Sequence, residues 1–163
     1  MSEAKFVPGK VMVVAGSDSG GGAGIQADIK AIMAQGAYAT TAISALTAQN
    51  TQGVQDIFDV PPAFVVSQMT SILSDIDADI LKTGMLATRA TIEAVAEARD
   101  RLKPKLPMIV DPVMVATSGD PLLAEDAIAA LASLLVRHAL IVTPNLPEAS
   151  LLVGRDTDTL DDM

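Results

Sequence analysis

The sequence predicts an α/β fold of three layers, a mostly parallel sheet with helices on both faces. Two observations carry that prediction. Short β-branched apolar runs alternate along the chain with apolar residues at helical spacing, and strands separated by single helices need crossover connections, which build parallel sheets. Half of the 163 residues are apolar, so a single domain can bury a substantial core.

The elements follow in order. KVMVVAG (10–16) is a buried strand, and Ile25, Ile29, Ile32 and Met33 then fall at helical spacing up to Gly36, placed to end that helix. ATTAISALT (39–47) predicts a second strand. Pro61 and Pro62 open a helix whose apolar face carries Val65, Met69, Ile72, Leu73 and Ile76. ADILKTG (78–84) is a strand, and Thr88 can cap a helix running to about Leu102. PMIVDP (107–112) is a strand with a hard stop; Ile128, Leu131, Leu134 and Leu135 share a helix face; ALIVTPN (139–145) returns to the sheet. No repeat, low-complexity tract or interdomain linker interrupts the pattern. The tail RDTDTLDDM (155–163) resembles a helix start capped by Thr157 or Thr159, with Leu160, Asp161 and Asp162 in an acid-rich first turn. That start is not continued, so a truncated chain is expected.

Charge and composition exclude several classes. A net charge of −9, with no cluster of Lys and Arg, argues against a reader of nucleic-acid backbones but not against a nucleotide ligand. Cysteine is absent, which removes disulfides, thiolate zinc sites and a cysteine nucleophile. The N-terminus MSEAKFVPGK has no apolar signal-peptide core. The uncharged run 31–55 contains Gln35, Gly36, Thr40, Thr41, Ser44, Gln49 and Asn50, which are costly in hydrocarbon. It reads as helix, turn and strand of a soluble protein, with no membrane partner and the cytoplasm as default location.

Ligands of open parallel sheets gather at the carboxyl ends of the strands. Five stretches fall there: 16–24, Gln49 with Asn50, Gly84 with Met85, 111–119 and 143–148. GSDSGGGAG (16–24) lacks the Lys and Ser/Thr that close a Walker-type phosphate loop. The dinucleotide fingerprint fits it only with poor spacing. What remains is a tight strand-to-helix turn, or a bare backbone wall for a flat uncharged ligand. Lys30, the next cation, reads as buried in the helix pattern. Asp111 after its strand is a turn or cap residue by itself. Asn145 and Glu148 bracket a proline-started helix, which suits a capping box and equally a water-rich magnesium site; the two are not exclusive. His138 reads as a helix C-terminal residue, not a base, and Met85 and Met114 as core fillers.

Five motifs in order resemble one family: AGSDSGGGAGIQADIK (15–30), TAQNTQGV (47–54), KTGML (82–86), VDPVMVATSGDPLL (110–123) and TPNLPEAS (143–150). They are similar to the hydroxymethylpyrimidine/phosphomethylpyrimidine kinases of thiamine biosynthesis. The resemblance implies a ribokinase-like fold, of which 1–163 would be the N-terminal portion of one domain. It implies phosphorylation of 4-amino-5-hydroxymethyl-2-methylpyrimidine and then of its monophosphate, with ATP and Mg2+. It places Gly16, Ala23, Asp28, Gln49, Met85 and Val113 around the pyrimidine. Asp111, Asn145 and Glu148 fall in the ATP phosphate and magnesium region, with Asp111 and Glu148 as metal ligands. It also implies that the activating residue (typically a cysteine), the anion hole and most of the adenine pocket lie beyond Met163, so that the chain as given is inactive, and that the enzyme is a homo-oligomer. Two alternatives stand beside it: a related pyridoxal-type vitamin kinase, and a catalytically silent pyrimidine-binding module.

Overall fold

The computed structural model of the chain describes residues 9–114, 123 and 125–157. Six strands form one sheet: β1 (Lys10–Asp18), β2 (Tyr38–Asn50), β3 (Gly53–Asp59), β4 (Ile80–Thr83), β5 (Met108–Val110) and β6 (Ile141–Val142). Their order is β3-β2-β1-β4-β5-β6, parallel throughout except for β3, which pairs antiparallel with β2. The chain moves outward from β1 to β2 and then crosses back to β4 on the other side of β1. The crevice between the ends of β1 and β4 is therefore the topological switch point, where such sheets bind ligands.

Among the described residues four α-helices lie between strands, α1 (Gly24–Ala34), α2 (Pro62–Leu73), α3 (Arg89–Leu102) and α4 (Glu125–Ala130), and α5 (Leu146–Val153) follows β6. Alternation along β1 divides the core. Val13 and Ala15 pack with Ile25 of α1 on one face, while Met12 and Val14 join Leu81, Met108 and Val110 on the other. That second face is covered by Val65 and Met69 of α2, by Ile92, Val95 and Ala98 of α3, and by Ala127 and Ala130 of α4. Thr88 caps α3 as its position predicts, accepting from the Thr91 N–H at 3.2 Å. Among the described residues no helix is long and apolar enough to cross a membrane; the uncharged run 31–55 is divided among α1, a turn, β2 and the start of β3.

Several expectations need correction. β3 was not predicted, because an edge strand exposed along most of its length shows no alternation of apolar residues. Met33 is 63% exposed, on the solvent side of α1. Ile76 lies beyond the end of α2 and is exposed. Leu131–Leu135 form a π-helical turn continuing α4, and Val136–His138 a 3-10 turn. The wider π turn breaks the regular helical spacing, so Leu131 and Leu135 are buried while Leu134 is exposed. Lys30 is exposed, its ammonium donating to the Gly21 carbonyl at 2.6 Å. At the tail, Thr157 docks onto α5, its N–H donating to Ser150 Oγ at 3.0 Å and its hydroxyl to the Leu146 carbonyl at 3.0 Å. Thr159, Leu160, Asp161 and Asp162 lie outside the described residues.

Candidate active site

The glycine-rich segment is organised by its own aspartate. Asp18, at the last position of β1, is 6% exposed. One carboxylate oxygen accepts from the Gly20 N–H at 2.7 Å, and the other from Gly22 and Ala23 at 2.9 and 2.8 Å. Burial pushes the Asp18 carboxyl up, but the backbone donors of Ala23, Gly20, Gly22 and Gly21 outweigh it and hold the acid below its ordinary range. The amides that would cradle a phosphate are thus committed to an internal anion, which settles the loop as a wall and not a phosphate loop. Gln26 completes it from α1, accepting from the Asp18 N–H at 2.9 Å and donating to Ser17 Oγ at 2.7 Å. Gly24 has φ +54°, and a Cβ there would stand 2.5 Å from the Gly16 carbonyl oxygen. Only glycine fits.

The second wall comes from β2 and β4. The β1–β2 register shifts between Ala15 and Ser17, and the β2–β3 register shifts between Ala48 and Gln49, so both strands are irregular beside the crevice. Ser19 Oγ donates to the Gln49 carbonyl and accepts from the Gln49 N–H, both at 2.8 Å, which fixes the end of β2 against the loop. The Thr47 hydroxyl lies 3.0 Å from the Ser17 carbonyl and 3.2 Å from Gln49 Oε1, its single proton able to serve either. Ser44 donates to the Met85 carbonyl at 2.6 Å, and the bare Gly16 leaves room for the Met85 methyl.

At the base, the Lys82 ammonium bridges two carboxylates, Asp28 of α1 at 3.0 Å and Asp111 beyond β5 at 3.1 Å. All three are largely sheltered from solvent. Together these walls enclose a cavity of about 590 Å3, a volume suited to a small ligand.

Seven of the expected site residues line this cavity: Gly16, Ala23, Asp28, Gln49, Met85, Asp111 and Val113. Asn145 and Glu148 do not. They form a reciprocal capping box at the start of α5, Asn145 Oδ1 accepting from the Glu148 N–H and Glu148 Oε2 from the Asn145 N–H, each at 2.9 Å. Of the five polar stretches at strand ends, the fifth therefore stands apart; in the fourth, residues 115–119 lie outside the described residues. His138 is exposed and away from the cavity. Sequence reasoning missed Asp18, Gln26, Ser44 and Lys82. Lys82 left a usable signal, a single cation inside the apolar strand run ADILKTG and in register with Val13.

The comparisons with known proteins agree with this architecture. The family model described as phosphomethylpyrimidine kinase matches residues 18–163. The chain belongs to that family. It is 53% identical over 142 residues to a hydroxymethylpyrimidine/phosphomethylpyrimidine kinase of Rhizobium meliloti, covering 87% of this chain and 53% of the relative. Its fold superposes on the crystal structure of phosphomethylpyrimidine kinase from Clostridium difficile with a TM-score of 0.87 at 39% identity, covering 95% of this chain and 67% of that one. A pyridoxal kinase from Staphylococcus aureus, solved with AMP-PCP and pyridoxal, gives a TM-score of 0.82 at 32% identity, with 97% of this chain and 56% of that one covered. The fold is thus the ribokinase-like one. The chain spans about half the length of the curated relatives it matches.

Proposed function

We propose that this phosphomethylpyrimidine kinase family member serves thiamine biosynthesis by phosphorylating 4-amino-5-hydroxymethyl-2-methylpyrimidine and then its monophosphate with ATP and Mg2+, and that the cavity holds the pyrimidine. The observation that carries the reading is the pairing of a bare glycine wall with Gln49. A flat ring can lie against the backbone at Gly16, Ala23 and Gly24, with Met85 and Val113 as apolar contacts. The Gln49 amide offers both an acceptor and donors to an aminopyrimidine edge.

The residues fit magnesium on the Asp111 side. Mg2+ keeps several waters and takes one or two carboxylates together with substrate phosphates. Asp111 lines the cavity with one oxygen bridged to Lys82. When bound, Mg2+ would supply charge neutralisation to the ATP phosphates. Asn145 and Glu148 sit at the carboxyl end of β6, on the same sheet edge, and we assign the Glu148 charge to that phosphate end in addition to its capping bond. The cavity residues orient the alcohol; the activating group is assigned to sequence outside these 163 residues, so that the chain as given binds the pyrimidine without appreciable turnover. We place the protein in the cytoplasm, as one ribokinase-like domain, and as a homo-oligomer, a reading supported by Leu46 and Phe58, paired across β2 and β3 and both exposed.

The test compares alcohols. The whole enzyme, with ATP and Mg2+, should convert the pyrimidine alcohol to mono- and diphosphate faster than it phosphorylates pyridoxal. Faster turnover of pyridoxal would transfer the assignment to a pyridoxal-type vitamin kinase, and binding without turnover to a silent pyrimidine-binding module. The higher identity to the pyrimidine kinase, 53% against 32% for the pyridoxal kinase, favours the first.

A further inference from the structure

The cavity wall contains three carboxylates and, among the described lining residues, one cation. Asp18 is committed to backbone N–H groups. The remaining two, Asp28 and Asp111, share Lys82. This base carries one more negative than positive charge, an arrangement that suits a neutral ring alcohol and opposes a phosphate dianion. Yet the ammonium is not fully engaged. An ammonium has three N–H donors, and Lys82 directs two of them to Asp28 Oδ2 and Asp111 Oδ2. The backbone makes space for it, since a Cβ on Gly84 would come within 3.3 Å of Lys82 Nζ and 3.0 Å of the Ala15 Cβ. A side chain at position 84 would crowd the ammonium against its two carboxylates.

We propose that Lys82 is the specificity-determining cation of the cavity. Its third N–H donates to a phosphoryl oxygen of a phosphate monoester, and Asp28 and Asp111 set how strongly it can do so. This rests on the pyrimidine reading above and deepens it, because the same cavity must accept both a neutral alcohol and its monophosphate. Lys82 reaches Asp28 from β4 across to α1 and Asp111 from β4 across to the end of β5. A charge change at either carboxylate therefore alters the cation offered to the ligand without changing the Gln49 wall.

The experiment is calorimetric binding of the pyrimidine alcohol and of its monophosphate to the 163-residue chain, in parallel for wild type, Lys82→Met, Lys82→Arg and Asp111→Asn, with folding checked by circular dichroism. In Lys82→Met the ratio of monophosphate to alcohol affinity should fall about 10- to 100-fold, the range of a lost charge-assisted hydrogen bond. Lys82→Arg should keep the ratio within a few-fold of wild type. Asp111→Asn should raise it, because one competing carboxylate charge is gone while Lys82 stays. The last variant decides the matter even where Lys82→Met fails to fold. Equal losses for both ligands in Lys82→Met, or a ratio unmoved or lowered by Asp111→Asn, would overturn the assignment and leave Lys82 as a structural bridge. Failure of wild type to bind the alcohol at all would instead remove the pyrimidine reading on which it rests.

Discussion

The glycine loop after β1 and the start of α5 use the same device to opposite ends. In each, a nearly buried carboxylate near a strand terminus accepts hydrogen bonds from backbone N–H groups: Asp18 from Gly20, Gly22 and Ala23, Glu148 from Asn145. The first shapes a cavity wall, and the second closes a helix end away from that cavity. Asp18 and Glu148 thus carry structural hydrogen bonds to their own backbone, whereas Asp28 and Asp111 meet only a side-chain cation, Lys82. Sequence patterns that suggest phosphate or metal can therefore mark a structural carboxylate, a ligand-facing one, or, as proposed for Glu148, one residue in both roles.

The sharpest way to break the comparison is at the loop. Gly24→Ala should be the most damaging change, costing roughly 3 kcal/mol or more, because a Cβ would meet the Gly16 carbonyl at 2.5 Å in a left-handed backbone. Urea denaturation measures this directly, and a loss below about 1 kcal/mol would show that the loop relaxes at little cost. Asp18→Asn should follow, at roughly 1.5–3 kcal/mol for hydrogen bonds to a charged acceptor. Its pH dependence has a defined sign. The folded Asp18 acid is held below its ordinary value of 3.8, so its stabilisation is fully present above that value and is lost as pH falls through the lower folded value. Acid titration of wild type and Asp18→Asn should therefore converge at low pH; parallel curves would assign the effect to packing.

Smaller effects belong to α5 and to the surface. Glu148→Gln keeps the shape and one acceptor of the capping box, so the chain should lose at most about 1 kcal/mol. In the whole enzyme the same change should impair magnesium-dependent turnover more than pyrimidine binding. A sharp fall in melting temperature with no response of turnover to added magnesium would confine Glu148 to capping. Arg89→Ala removes an exposed pair with Glu93, four residues on in α3, and should leave the thermal unfolding midpoint essentially unchanged.

Most of the sheet could be read from the sequence because its central strands β1, β4 and β5 are largely buried apolar runs set off by helices with recognisable ends, such as the Thr88 cap of α3. β3 could not, since an exposed edge strand has no apolar period, and neither could the π turn that exposes Leu134, because its extra residue leaves no local signal. For the site, motif position brought out the residues that touch open space, from Gly16 to Val113. The residues that hold them in place were harder to see. Asp18 and Gln26 act through backbone contacts of the loop, and the Lys82 bridge joins positions 28, 82 and 111, which only the folded sheet brings together.

The central claim is that these 163 residues build an aminopyrimidine pocket read by Gln49. Calorimetric titration of the pyrimidine alcohol into the chain, wild type beside Gln49→Ala, tests it most directly. The account predicts saturable binding by wild type and a loss in Gln49→Ala of roughly 1–3 kcal/mol, about 5- to 150-fold in affinity. Equal affinity of the two proteins would contradict it and take Gln49 out of the pocket's recognition chemistry.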